Sequence, residues 1–181
     1  MADLDSRPPD MKYTARRFTA AVLGAVFALA CVVGYKVYTG GPRLPALTAA
    51  RFTAAREKWQ QLAPPSYDIE IVVSGRQPAT YRVETRDNAV VKALRNGQPL
   101  TNRRTFETWS VPGMFNTIAK DVENLERVAS GRADATTPRL LLRAIFNRHY
   151  AYPERYLRIE MVERGENPQV SWQVTEFSVK E

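Results

Sequence analysis

Residues 67–94 read YDIEIVVSGRQPATYRVETRDNAVVKAL, and the alternation within them decides the fold. Over residues 67–73, Tyr67, Ile69, Ile71 and Val73 share one parity and Asp68 and Glu70 the other. That period of two belongs to a half-buried strand. Ser74-Gly75 starts a turn, and residues 80–86 repeat the pattern with Tyr81, Val83 and Thr85 inward and Arg82, Glu84 and Arg86 outward. Asp87-Asn88 supplies two residues that tolerate left-handed backbone. Residues 89–94 form a third strand, and Asn96-Gly97 is a strong hairpin signal. Pro99 confines the next segment to an edge or a loop.

Upstream, residues 49–62 place Phe52, Ala55, Trp59 and Leu62 on one helical stripe. Thr48 is the expected N-cap, and Pro64-Pro65 ends the helix. Downstream, Ser110 caps a second helix over residues 111–129, with Pro112 in its first turn and Gly131 after its end. Phe115, Ile118, Val122, Leu125 and Ala129 trace its apolar face, and Asp121, Glu123 and Glu126 are expected to face away. Residues 140–150, 155–163 and 170–179 read as three more strands. Leu157, Ile159 and Met161 alternate with Arg158 and Glu160. Trp172 and Val174 share a parity that Phe177 and Val179 break, which predicts a bulge near Thr175. The expected class is therefore α+β: a mainly antiparallel six-stranded sheet in helix-βββ-helix-βββ order, with the amphipathic helices packed on one face.

Residues 18–34 (FTAAVLGAVFALACVVG) carry no charge. At about 1.5 Å per residue, residues 18–38 span roughly 30 Å, the thickness of a bilayer's hydrocarbon core. The sequence thus predicts one N-terminal transmembrane helix. Lys12, Arg16 and Arg17 precede it, and only Lys36 and Arg43 come closely after. This bias points to a cytoplasmic tail at 1–17, a transmembrane helix or signal anchor at 18–38, a linker at 39–47 and a domain at 48–181 outside the cytoplasm. Two other readings stay open. A cleaved signal peptide lacks a convincing cleavage site. A lipoprotein would lipidate Cys31, after Ala28-Leu29-Ala30, and would fit a true start at Met11; against it, Val32-Val33 continue the apolar run.

A hydrophobic fraction of 44% with 25% charged residues excludes a disordered chain. The net charge of +7 invites a nucleic-acid reading. The basic residues are scattered singly, however, with only Arg103-Arg104 adjacent beyond the linker, so no nucleic-acid partner is expected. Cys31 is the only cysteine, so the domain has no thiol for catalysis or metal ligation.

The stretches Tyr67-Asp68-Ile69-Glu70, Tyr81-Arg82-Val83-Glu84, Thr108-Trp109-Ser110-Val111-Pro112-Gly113-Met114-Phe115 and Tyr150-Ala151-Tyr152-Pro153-Glu154-Arg155-Tyr156 resemble a bacterial family of unknown function, numbered six-one-seven-four. Its members tend to be small membrane-anchored or lipidated proteins, and the resemblance runs over residues 59–180. It implies the same kind of tethered domain and brings no catalytic residues with it.

The only histidine, His149, has no recognisable nucleophile or orienting acid in sequence. Asp68 and Glu70 share a strand face and are more at home on a solvated sheet than in acid/base work. No catalytic residue, metal ligand or cofactor is assigned. Arg148, Tyr150, Tyr152, Arg155 and Tyr156 form the candidate binding surface, because Tyr and Arg anchor interfaces. The expected function is a non-catalytic binding or interaction module of the cell envelope, attached to the membrane through its N-terminal helix. Its partner would be an envelope protein, a peptide or an apolar ligand. The alternative is a small enzyme using carboxylate or tyrosine groups in a cleft of the sheet.

Overall fold

The computed structural model describes residues 44–180. The expected span at 18–38, Cys31 and Met11 lie outside them. Among the described residues no helix is long and apolar enough to cross a membrane.

The elements run α1 (Ala49–Leu62), β1 (Tyr67–Gly75), β2 (Ala79–Arg86), β3 (Ala89–Arg95), β4 (Gln98–Pro99), a single helical turn α2 (Arg103–Phe106), α3 (Val111–Ala129), β5 (Arg139–Phe146), β6 (Pro153–Met161) and β7 (Gln169–Val179). The fold is α+β, but two parts of the expectation need correction. The sheet has seven antiparallel strands instead of six, in the order β4-β3-β2-β1-β7-β6-β5, and no transmembrane helix belongs to the described architecture. The extra strand β4 is two residues long, too short to show a period. The Asn96-Gly97 turn, with both residues at positive φ, folds it back so that Leu94 faces Pro99 and Arg95 faces Gln98. Proline has no N–H to donate and is tolerated there because β4 is an edge.

The local signals act as their chemistry requires. Thr48 Oγ1 accepts the Arg51 N–H, and Ser110 Oγ accepts the Gly113 N–H. Asp87 and Asn88 both adopt positive φ. In β7 the register shifts opposite Glu70/Ile71: Ile71 faces Val174 and Glu70 faces Glu176. Thr175 is the unpaired residue of the expected bulge, and the skip returns Phe177 to the face of Trp172 and Val174.

Both long helices cover one sheet face. Ile69, Ile71 and Val83 of the sheet meet Phe115, Ile118 and Met114 of α3 in one buried core. Each such side chain contributes roughly 1.5–3 kcal/mol by leaving water. Leu62, expected on the α1 stripe, is exposed because the chain turns away at Ala63.

Asp121 is also a correction. It points at the sheet, where its Oδ2 accepts the Tyr156 hydroxyl (2.7 Å) and its Oδ1 accepts Arg158 Nε (3.1 Å). Arg158 and Glu160 share the parity of Tyr156, so they lie on the helix side. Leu157 and Ile159 therefore face the other way. A polar clasp, not an apolar contact, joins this end of α3 to β6.

Residues 44–47 already join the sheet. Ala46 bridges Arg143, the Leu47 N–H donates to the Leu142 carbonyl (2.9 Å), and the Ala144 N–H donates to the Pro45 carbonyl (3.2 Å). The middle of the β5 edge is thereby covered.

Candidate functional site

The five residues singled out from the sequence do not form one surface. Asn147 organises the turn after β5: its Oδ1 accepts the N–H groups of His149 and Tyr150, both at 3.0 Å. Its carbonyl accepts the Ala151 N–H, and Ala151 takes a positive φ of 62°. Arg148 is exposed on this turn, and its carbonyl accepts Lys58 Nζ (2.7 Å). Tyr150 and Tyr152 turn inward onto Phe177, Tyr152 stacking at 4.4 Å. Phe177 also meets Trp59 and Tyr67. Tyr156 is 1% exposed, packed on Trp172 and tied to Asp121. Burial, followed by the charge of Asp121, pushes its hydroxyl well above the ordinary tyrosine range. Burial also raises the Tyr152 hydroxyl, helped by the charge of Glu154. These two tyrosines are core groups that stay neutral. His149 sits exposed in the turn with its ring edge-on to Tyr150.

Arg155 alone of the five reaches the sheet face opposite the helices. Directly opposed residues of antiparallel strands share a face, and the register gives the rows. Ile145, Arg155, Gln173 and Val72 form one row, Arg143, Leu157, Ser171 and Ser74 the next, and Leu141, Ile159 and Gln169 a third. Arg139 and Met161 continue the pattern at the end. The β5–β7 half of this open face thus carries Arg139, Arg143 and Arg155 among Leu and Ile side chains, and its acid, Glu176, lies past the bulge opposite Glu70.

The other half, on β1–β3, is a ladder of ion pairs. Arg86 Nη1 meets Asp68 Oδ1 at 2.7 Å, Lys180 Nζ meets Asp68 Oδ2 at 3.3 Å, and Lys92 Nζ meets Glu84 Oε1 at 2.8 Å. Arg82 Nη2 meets Glu70 Oε2 at 2.5 Å. By contrast, Arg139 and Arg155 form no ion pair among the described residues. Arg143 spends one nitrogen on the Leu44 carbonyl (2.7 Å). Where the two halves meet, Leu44, Val72, Arg155, Leu157, Ser171 and Gln173 line an open groove of about 430 Å³. That is the size of a small-ligand site. Glu70 stands near it but is engaged by Arg82 and by the Thr175 hydroxyl (3.0 Å).

The ladder keeps its carboxylates ionised. Partial burial raises the Asp68 carboxyl, but the hydrogen bonds and charges of Arg86 and Lys180 outweigh it, and the group titrates below the usual range. Glu70 is lowered by its hydrogen bonds from Arg82 and then Thr175. A general acid would need the opposite shift. Because both folded-state values are depressed, their stabilisation is present above the unfolded value near pH 4 and is lost as pH falls through the folded values. Urea midpoints are expected to fall between pH 6 and pH 3, and Asp68→Asn to shrink that fall; an unchanged pH dependence in the variant would contradict the assignment. Among the described residues no group of three or more His, Cys, Asp or Glu is placed to hold a metal ion.

Against known proteins, residues 51–130 match the Family of unknown function (DUF6174). The match takes in α1 to α3 and stops before β5–β7. It is the family that the sequence resembles, and it takes in the stretches at 67–70, 81–84 and 108–115 but not the one at 150–156. No curated protein and no solved structure matches the chain.

Proposed function

We propose, on the geometry, that this domain, whose residues 51–130 match a family of unknown function, is a non-catalytic binding module whose ligand seats on the open face of β5–β7. One observation carries the reading. The acids Asp68, Glu70 and Glu84 are each paired within the protein, while Arg155 stands unpaired in a groove between Leu157, Val72 and the polar side chains of β7. An arginine flanked by apolar side chains is the composition of a binding anchor. The buried tyrosines support no chemistry of their own, because each is neutral and packed.

The same proposal puts the module at the cell membrane, outside the cytoplasm, as part of the envelope. The charge-free run at residues 18–34 and the Lys/Arg excess before it support this placement.

The test is affinity capture of the tagged full chain from carbonate-washed membranes, with mass spectrometry of co-purifying proteins and small molecules. Leu157→Glu serves as the comparison, since it alters the open face without touching the core. A species enriched with the native chain and lost with the variant is the expected result. Release of the chain by the carbonate wash would refute the membrane placement. An identical set of companions for both chains would refute the open-face site.

A further inference from the structure

We propose that the groove around Arg155 binds an anionic amphiphile: a molecule with an acyl chain and one carboxylate or phosphate head. The proposal rests on the open-face binding site and names its ligand class.

Charge comes first. Arg155 stands in a groove that no acid among the described residues lines, and Arg143 is the next open-face arginine on the neighbouring strand. A guanidinium with no acidic partner in the protein is complementary to an anionic ligand. Arginine's planar fork also matches a carboxylate or phosphate with two hydrogen bonds. The hydroxyl of Ser171 and the amides of Gln169 and Gln173 stand beside Arg155 along β7, so further donors face the same spot.

The apolar part of the site selects the rest of the ligand. Leu157, Ile159, Leu141 and Ile145 alternate with the arginines, and Leu44 and Val72 close the groove. A peptide laid on this face would place its N–H and C=O groups over those side chains without partners, at a cost for each. Peptides usually avoid that by adding a strand at a sheet edge. Here the nearest edge is taken: the Leu142 carbonyl and the Ala144 N–H are already bonded to Leu47 and Pro45. An acyl chain has no backbone polar groups and meets no such penalty. Nucleic acid fits less well, because no aromatic side chain stands on this half of the face to stack a base.

The chemistry can come from a free fatty acid or from an anionic membrane lipid, and the experiment separates them. The full chain is reconstituted in phosphatidylcholine vesicles. Three photoreactive probes are compared: palmitate carrying a diazirine, its methyl ester, and phosphatidylglycerol carrying the same group in one acyl chain. Adducts are mapped by mass spectrometry.

Labelling of residues 153–161 or 169–175 by an anionic probe, about tenfold above the ester, is the expected result for the loss of one charge-assisted contact. Palmitate labelling alone identifies a free acid, and phosphatidylglycerol labelling identifies a bilayer lipid. Arg155→Gln is expected to remove most of that labelling and Arg155→Lys to restore part of it. Equal labelling by acid and ester, or labelling indifferent to Arg155→Gln, overturns the proposal. So does protection of β6 and β7 from hydrogen exchange by a glutamate-rich peptide with no amphiphile adduct there. That last result would leave the open-face site standing and remove only the ligand class.

Discussion

Gly113→Ala is expected to destabilise the domain by about 2–3 kcal/mol, the cost of forcing atoms into a packed site. The sign is the point, because the same exchange inside an ordinary helix is worth roughly 1 kcal/mol in alanine's favour. Gly113 is the third residue of α3, and a Cβ there would fall on the carbonyl oxygens of Glu107 and Thr108, well inside contact distance. Those carbonyls cannot easily retreat. The Glu107 oxygen accepts both the Ser110 N–H (3.1 Å) and the Ser110 hydroxyl (2.8 Å). Ser110 in turn caps the helix, and the Val111 N–H is held by the Tyr67 hydroxyl at 3.2 Å. Moving the turn would therefore disturb the cap and its anchor on β1 together. Urea unfolding of the two chains, followed by tryptophan fluorescence, measures the difference. An alanine variant as stable as the native chain would show that the approach is not a constraint.

Asp121→Ala is expected to cost about 2–4 kcal/mol, in the range for removing one member of a poorly solvated charged pair. The Asp121 side chain is 13% exposed and serves two donors at once, Tyr156 and Arg158. Its removal leaves a buried hydroxyl without an acceptor and a guanidinium with only Glu160 at 3.3 Å. Tyr156→Phe removes one of these contacts and is expected to cost less. The double variant should lose clearly less than the sum of the two singles, because the phenol no longer needs its acceptor. Strict additivity in denaturant unfolding would show that the two side chains do not act as a unit.

The meander β1–β3 was legible because each strand alternates cleanly and each turn carries residues that accept left-handed backbone. The bulge at Thr175 was legible as a phase slip. Three features were not, each for a physical reason. Strand β4 is shorter than any period. Asp121 lies on the 114–118–121–125 spacing of α3, a run that also contains Met114, Ile118 and Leu125. Its charge suggested solvent, and only the position of Tyr156 and Arg158 explains why it turns inward. The third is the site itself. Arg139, Arg143 and Arg155 look scattered along the chain, and that they share one sheet face appears only when strand register sets β5 beside β6. Register is a long-range property that no local window reports. The tyrosines beside Arg155 drew attention for their chemistry and proved to be packing groups.

The pairing of β1 with β7 puts the opening and closing strands of the domain side by side in the middle of the sheet. The sheet can therefore close only after residues 169–179 have left the ribosome. Until residues 169–179 emerge, β1 can pair with β2 but keeps its other edge bare, and such edges recruit foreign strands. A premature stop before residue 169 leaves the β1–β4 meander unjoined to the β5–β6 hairpin, with bare edges that invite proteolysis.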